Sequence, residues 1–196
     1  MLSWLNQHLD RQWLAAWTLV AFTATLVFAY VITGVSSPLK EKTGLTLVNL
    51  QLAGACPILK RACPVLEGSR QEEKAPEQII AAWRHADVLS AARLDQFIDF
   101  FFPLAYGLFS LLLAVGMWRC HPAYPADGQW VWGIAAGARA ALFDECENIF
   151  IWNMLSGGGD PGWLVPALTS LFAIAKFLFL FLALAAFLRA LRHAEA

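Results

Sequence analysis

Charge is what this sequence has least of: 15% of its 196 residues are Asp, Glu, Lys or Arg, against 59% hydrophobic, and the net charge is −1. That balance provides no broad basic surface and excludes nucleic acid as a partner. Histidine is sparse too, and His8, His85, His121 and His193 all fall outside the apolar runs. A bundle holding haem needs axial ligands on facing helices, so no cofactor is expected. The four cysteines are too few for a disulfide scaffold. No GxSxG elbow, HExxH pair or phosphate-binding glycine loop occurs, and Gly157-Gly-Gly159 only connects two apolar runs.

Long apolar runs are plentiful. Four windows, Trp13 to Ile32, Phe97 to Met117, Trp130 to Leu155 and Trp163 to Leu188, approach or exceed the roughly 20 residues a membrane-crossing helix needs. Continuous runs such as Phe177-Leu-Phe-Leu-Phe-Leu182 exclude the alternating pattern of a barrel. The expected fold is all-α: a single polytopic transmembrane domain over 1–196, a four-helix bundle with a long, partly helical extramembrane loop, 36–93, between the first two spans.

Within that loop Thr43 to Gly54 mixes two apolar phases and suits a strand, an interfacial helix or a lid. The echo Ala55-Cys-Pro-Ile-Leu and Ala62-Cys-Pro-Val-Leu places Cys56 and Cys63 seven apart, a possible disulfide if the loop faces an oxidising compartment. No four-ligand metal set is present, Cys120-His121 being a lone pair. Pro76-Glu-Gln-Ile-Ile opens a helix with proline at its first position, and that helix is expected to run towards the second span. Asp95, Asp99, Pro103 and Tyr106 fall near one face there, where like charges at i, i+4 repel, so that either one carboxyl is protonated or a cation such as Arg93 or Lys176 lies nearby, the alternative being Asp95 in water at the helix end. Lys and Arg near the span ends divide evenly between the two sides, Arg11, Arg119, Arg189 and Arg192 against Lys40, Lys42, Arg84 and Arg93. A long loop can be translocated despite its charge, so both termini are placed in the cytoplasm of an inner-membrane protein.

The third span carries the chemistry. Arg139, Asp144, Glu145 and Glu147 put charge where hydrocarbon should be, and such groups cost about 2.5–3.5 kcal/mol each to insert. Gly133, Gly137, Ala140, Asp144, Glu147 and Asn148 recur on one face, so the small residues admit a neighbouring helix and the acids follow them onto the packed side. Lys176, in the middle of the fourth span, is a counter-ion candidate for Asp144 or Glu147, with Asp99 above. Asp99, Asp144, Glu147, Asn148 and Lys176 are therefore the candidate ligand-binding set, and Asp144 and Glu147 the candidates for acid–base chemistry.

The long loop between the first two spans, the run Leu94-Asp-Gln-Phe-Ile-Asp-Phe-Phe-Phe-Pro103 and the inward carboxylates together resemble the sterol-isomerase and sigma-2-receptor family of four-span proteins. That resemblance implies binding of sterols or cationic amphiphiles through intramembrane carboxyls. It stops short of isomerase chemistry, because the His and Trp placements expected of an isomerase are not recognisable. Asp144-Glu-Cys-Glu-Asn148 also resembles bacterial membrane proteins that carry Asp-x-x-Glu-Asn in a span, which implies no activity. Three functions stay open: a pocket for a membrane lipid or other hydrophobic small molecule, a non-catalytic subunit of a membrane complex, and a proton or ion path in a homo-oligomer.

Overall fold

A computed structural model describes residues 10–53, 75–120, 133, 135–157 and 162–194, and among these every regular element is a helix. In chain order they are α1 (Arg11–Thr43), α2 (Leu47–Leu52), α3 (Pro76–His85), α4 (Leu89–Asp99), α5 (Phe101–Cys120), α6 (Ala136–Ser156) and α7 (Leu164–Ala194). Cys56, Cys63, His8 and His121 lie outside the described residues.

Three stretches are long and apolar enough to cross a membrane: Gln12–Thr43, Leu89–Arg119 and Leu164–Arg189, of 32, 31 and 26 residues. At about 1.5 Å per residue each exceeds a hydrocarbon core of about 30 Å. Helix α6, at 21 residues, has the length but also four charged side chains. The exposed positions on α7 include Leu171, Ile174, Phe177, Leu178 and Phe181, whereas its buried ones include Thr169, Ser170, Ala173 and Lys176. Apolar outside and small or polar inside is the pattern expected when lipid is the solvent.

Helix α1 runs on to Thr43, past the Ser36-Ser-Pro38 sequence where a loop was expected. Proline has no N–H for the carbonyl four residues back, and this normally breaks a helix. Here the Ser37 hydroxyl donates to that carbonyl, Gly34 O, at 3.0 Å, and Ser36 donates to Thr33 O at 3.2 Å. The side chains replace the missing backbone bond and the helix continues.

The chain divides into two compact units, one of Met1–Ala29, Phe101–Leu142 and Ala175–Ala196, the other of Tyr30–Phe100 and Phe143–Ile174. In the first, Leu14 and Ala21 of α1 pack with Leu112 and Val115 of α5, and Phe22 meets Phe109 at 5.3 Å between ring centres. Small residues set the spacing. A Cβ on Gly107 would lie 2.8 Å from that of Ala141, one on Gly137 would collide with Ser110, and one on Gly133 with Ala186. The glycines of α6 and α5 thus let helix backbones approach as in small-xxx-small packing.

The second unit has its own core. Leu39 of α1, Leu47 and Leu50 of α2, Ile79, Ile80 and Trp83 of α3, Ala92 of α4, and Ile151, Met154 and Leu155 of α6 form one buried cluster. Region 36–93 is therefore, where described, packed structure built around Trp83 rather than a loose connection. The ambiguous stretch after Thr43 forms α2, begun by Thr46, whose N–H donates to Asn49 Oδ1 at 2.8 Å. Helix α3 starts at Pro76 as expected and buries Pro76, Ile79, Ile80 and Trp83, one stripe at helical spacing.

The expected run of α3 towards the second span is interrupted. Asp87 adopts φ 56°, the Asp87 N–H donates to Arg84 O at 3.2 Å and the Val88 N–H to Trp83 O at 2.9 Å. This is a Schellman stop with aspartate in the left-handed position, and the Trp83 and Val88 side chains meet in the core as that motif favours. The chain then restarts as α4, with one further turn residue, Phe100, before α5.

Candidate functional site

Helix α4 exposes large apolar residues and buries two polar ones. Leu94 and Phe97 are about half exposed, whereas Ala92, Asp95 and Gln96 are buried, Asp95 at 1% and Gln96 at 0%. On α6 the face Asp144, Glu147, Asn148, Ile151 is buried, Glu147 and Asn148 completely. Thr169 and Ser170 of α7 and Gln51 of α2 are the other buried polar side chains among the described residues of the second unit.

Two ties fix α4 against α6. Arg93 donates through Nε and Nη2 to Leu155 O at 3.0 and 2.8 Å, and Asn148 Nδ2 donates to Asp99 O at 3.2 Å. Moving down α4 from Arg93 to Asp99 moves back along α6 from Leu155 to Asn148, so the two helices run antiparallel. Asp95 and Gln96 lie between those ties on one side, Ile151 and Trp152 on the other. The arginine bond also covers a carbonyl that the last turn of α6 cannot bond within the helix. A third tie joins α7 to α2, where Ser170 Oγ donates to Gln51 O at 2.6 Å. Phe172 holds α7 beside α6, with ring centres 6.0 Å from Phe143 and 5.7 Å from Phe150, two turns apart.

Of the residues singled out by sequence, Asp99, Asp144, Glu147 and Asn148 fall in this unit, and the last two are fully buried. Asn148 Nδ2 donates to the backbone carbonyl of Asp99. Lys176 is 6% exposed and belongs to the first unit, its Nζ lying 5.1 Å from the centre of the Phe177 ring. Asp99, Asp144, Glu147 and Lys176 all take part in interactions of their own. Arg139 is exposed and Glu145 partly buried, so neither shares the enclosed face of α6.

Buried polar atoms without hydrogen bonds fall partly on residues that sequence had singled out, Asn148 and Asp95 among them with Glu145 on another side of α6, and partly on Gln96 and Trp83, which it had not. Both amide atoms of Gln96, Asp95 Oδ1, Asn148 Oδ1 and Trp83 Nε1 are buried and make no hydrogen bond. A buried polar group left unpaired costs about 1–3 kcal/mol, so such groups rarely persist without a reason. Asp95 is enclosed, not solvated at a helix end. The signal for Gln96 was present in the sequence: on a helix in lipid, the polar residues between Leu94 and Phe97 mark the inner face. Among the described residues, no group of three His, Cys, Asp or Glu side chains is arranged to hold a metal ion.

Between the Arg93–Leu155 and Asn148–Asp99 ties, Asp95, Gln96 and Asn148 thus leave a polar strip with three acceptor oxygens and one amide nitrogen that make no hydrogen bond. Such a strip can hold the polar end of a small molecule, and its carboxyl group can accept or donate a proton. Comparison with protein-family models, with curated proteins and with solved structures found no match to this chain.

Proposed function

We propose that this is an integral membrane protein that binds a lipid or other amphipathic small molecule in the interior of its second unit. The polar end of that molecule meets Asp95, Gln96, Asp99 and Asn148, with Asp144 and Glu147 farther along α6. The reading rests on one observation above all: Gln96 is fully buried with neither amide atom hydrogen-bonded, and Asp95 and Asn148 beside it each keep an unpaired oxygen. Helix α6 serves as a fourth span, its length sufficient and Asp144, Glu147 and Asn148 shielded from lipid. Helices α2 and α3 cover the end of the unit around Trp83.

Mass spectrometry of lipid extracts from purified protein tests this directly. Wild type retains a near-stoichiometric molecule, and Gln96→Leu loses it. Equal lipid profiles in the two proteins would refute the proposal. The orientation with both termini in the cytoplasm has a separate check, maleimide labelling of Cys56 and Cys63 from outside intact cells after reduction, where failure to label would reverse the topology.

A second reading has its own support. The Arg93–Leu155, Asn148–Asp99 and Ser170–Gln51 bonds are structural ties, as suits a non-catalytic subunit of a membrane complex. On that reading Gln96→Leu leaves co-purifying lipids unchanged and removes a co-purifying partner protein.

A further inference from the structure

Arg139 is the exposed charge of α6, and contacts within the first unit fix its depth. Gly107 of α5 lies against Ala141 and Ser110 against Gly137, while on α7 Ala183 lies against Gly137 and Ala186 against Gly133. Helix α6 is therefore antiparallel to both neighbours, and Arg139 stands level with positions 108–109 of α5 and 181–182 of α7. The apolar spans that contain those helices end at Arg119 and Arg189. At about 1.5 Å per residue, Arg139 lies about 11–16 Å inside those ends. Leu142 beside it on α6, Leu108 on α5, and Phe181 and Leu182 on α7 are exposed at about the same level.

A long basic side chain near a helix end escapes hydrocarbon by reaching for the interface, and one on α6 leans that way because helical side chains point back along the chain. From Arg139 that reach covers only part of the distance. Arginine does not shed its proton either. Arg139 has an interaction within the chain, yet its side chain stays exposed, and charge at such depth is normally covered by protein or water. The chemistry of the cover follows from the group. A guanidinium offers a planar fork of N–H donors and no acceptor, which matches a carboxylate. A lipid phosphate sits at the interface and is too shallow. A second copy in the same orientation brings another arginine to the same depth, and among the described residues no Asp or Glu of α4 to α7 is exposed to meet it. We infer that the outer face of α6 around Arg139 and Leu142 docks a transmembrane helix of another protein, one that carries an aspartate or glutamate at the depth of Arg139. This rests on the reading of α6 as a fourth span and holds whatever the second unit contains.

The test uses the full-length protein in intact cells. The photocrosslinker benzoylphenylalanine replaces Leu142, beside Arg139, and in a control replaces Leu19, an exposed residue of α1. Adducts formed on irradiation are mapped by mass spectrometry. Position 142 gives an adduct within an apolar segment of about 20 residues that carries Asp or Glu, and position 19 does not. Arg139→Gln lowers the yield about tenfold, as expected for loss of a charge-assisted hydrogen bond, and Arg139→Lys keeps most of it. Arg139→Glu abolishes the adduct until the mapped carboxylate is exchanged for lysine. Because Arg139 is exposed, these variants leave the core of the first unit intact. An adduct with a second copy, an adduct with lipid alone, a mapped segment without a carboxylate, or a yield indifferent to Arg139→Gln overturns the docking. Arg139→Cys in opened membranes checks the premise separately. Labelling by an impermeant maleimide above the wild-type level places α6 outside the membrane and removes the fourth span itself, whereas a shielded cysteine with no protein adduct at position 142 removes the docking alone.

Discussion

Replacing Gln96 by leucine is the perturbation that separates a binding strip from structural glue, because the two readings predict opposite signs for stability. Leucine has nearly the volume of glutamine and no polar atoms, so the packing beside Ala92 is kept while an unbonded carbonyl and an unbonded amide leave the interior. Relief of that burial is worth about 1–3 kcal/mol, and roughly 2 kcal/mol is a fair central figure. For a chain of this size each kcal/mol moves Tm by about 2–4 °C, so Gln96→Leu should unfold about 4–8 °C above wild type. The measurement is far-UV circular dichroism on protein stripped of lipid by prolonged detergent exchange, since a retained ligand would stabilise wild type alone. Adding back a total lipid extract should then raise Tm of wild type and not of the variant, the usual exchange of function for stability at a binding site. A fall in Tm of the stripped variant would show that Gln96 makes hydrogen bonds that hold α4 in place, and the argument from unpaired atoms would fail.

Three further substitutions probe the frame that holds the strip. Trp83→Ala empties the centre of the second unit's core and should cost about 3–5 kcal/mol, read as a Tm loss, with hydrogen exchange rising first in α2 and α3. Arg93→Ala removes both bonds to Leu155 O and should cost about 1.5–3 kcal/mol, and Arg93→Lys should recover only part because an ammonium cannot supply the two-pronged contact. Gly137→Leu drives a side chain into Ser110 and should cost at least about 1–3 kcal/mol, whereas the same change at Gly116, which has open space around it, should be close to neutral.

Most of the helical architecture was legible because hydropathy and helix punctuation are local signals. The long apolar runs become α1, α5, α6 and α7, and Pro76 opens α3 where its position said it would. The misjudged boundaries each turn on a compensation that composition does not display. Pro38 fails to stop α1 because Ser37 bonds the carbonyl the proline leaves, and α3 stops at Asp87 because the chain turns there with φ 56°, a conformation more often taken by glycine. The polar region 36–93 read as a loop because its apolar residues are spread over short helices. None of those helices shows a span-length run, yet Leu39, Leu50, Ile79 and Trp83 converge in space.

The candidate site was legible as a helix and not as a set of atoms. Charge in an apolar run marks α6 unmistakably, and the burial of Asp144, Glu147 and Asn148 follows from the small-residue face they share. Formal charge marks only part of the unsatisfied set: Asp95 Oδ1 and Glu145 Oε1 make no hydrogen bond, while Asp99, Asp144, Glu147 and Lys176 all have interactions. A neutral amide is under weaker pressure. Gln96 can be buried with its amide atoms unpaired at a lower cost than an unpaired charge would carry. Hydrogen-bonding capacity left open inside a membrane protein is therefore to be sought among uncharged polar residues as well as among the conspicuous acids. In this chain that reasoning adds Asp95 and Gln96 of α4 to the candidate residues of α6, one turn from where Asn148 is tied to Asp99.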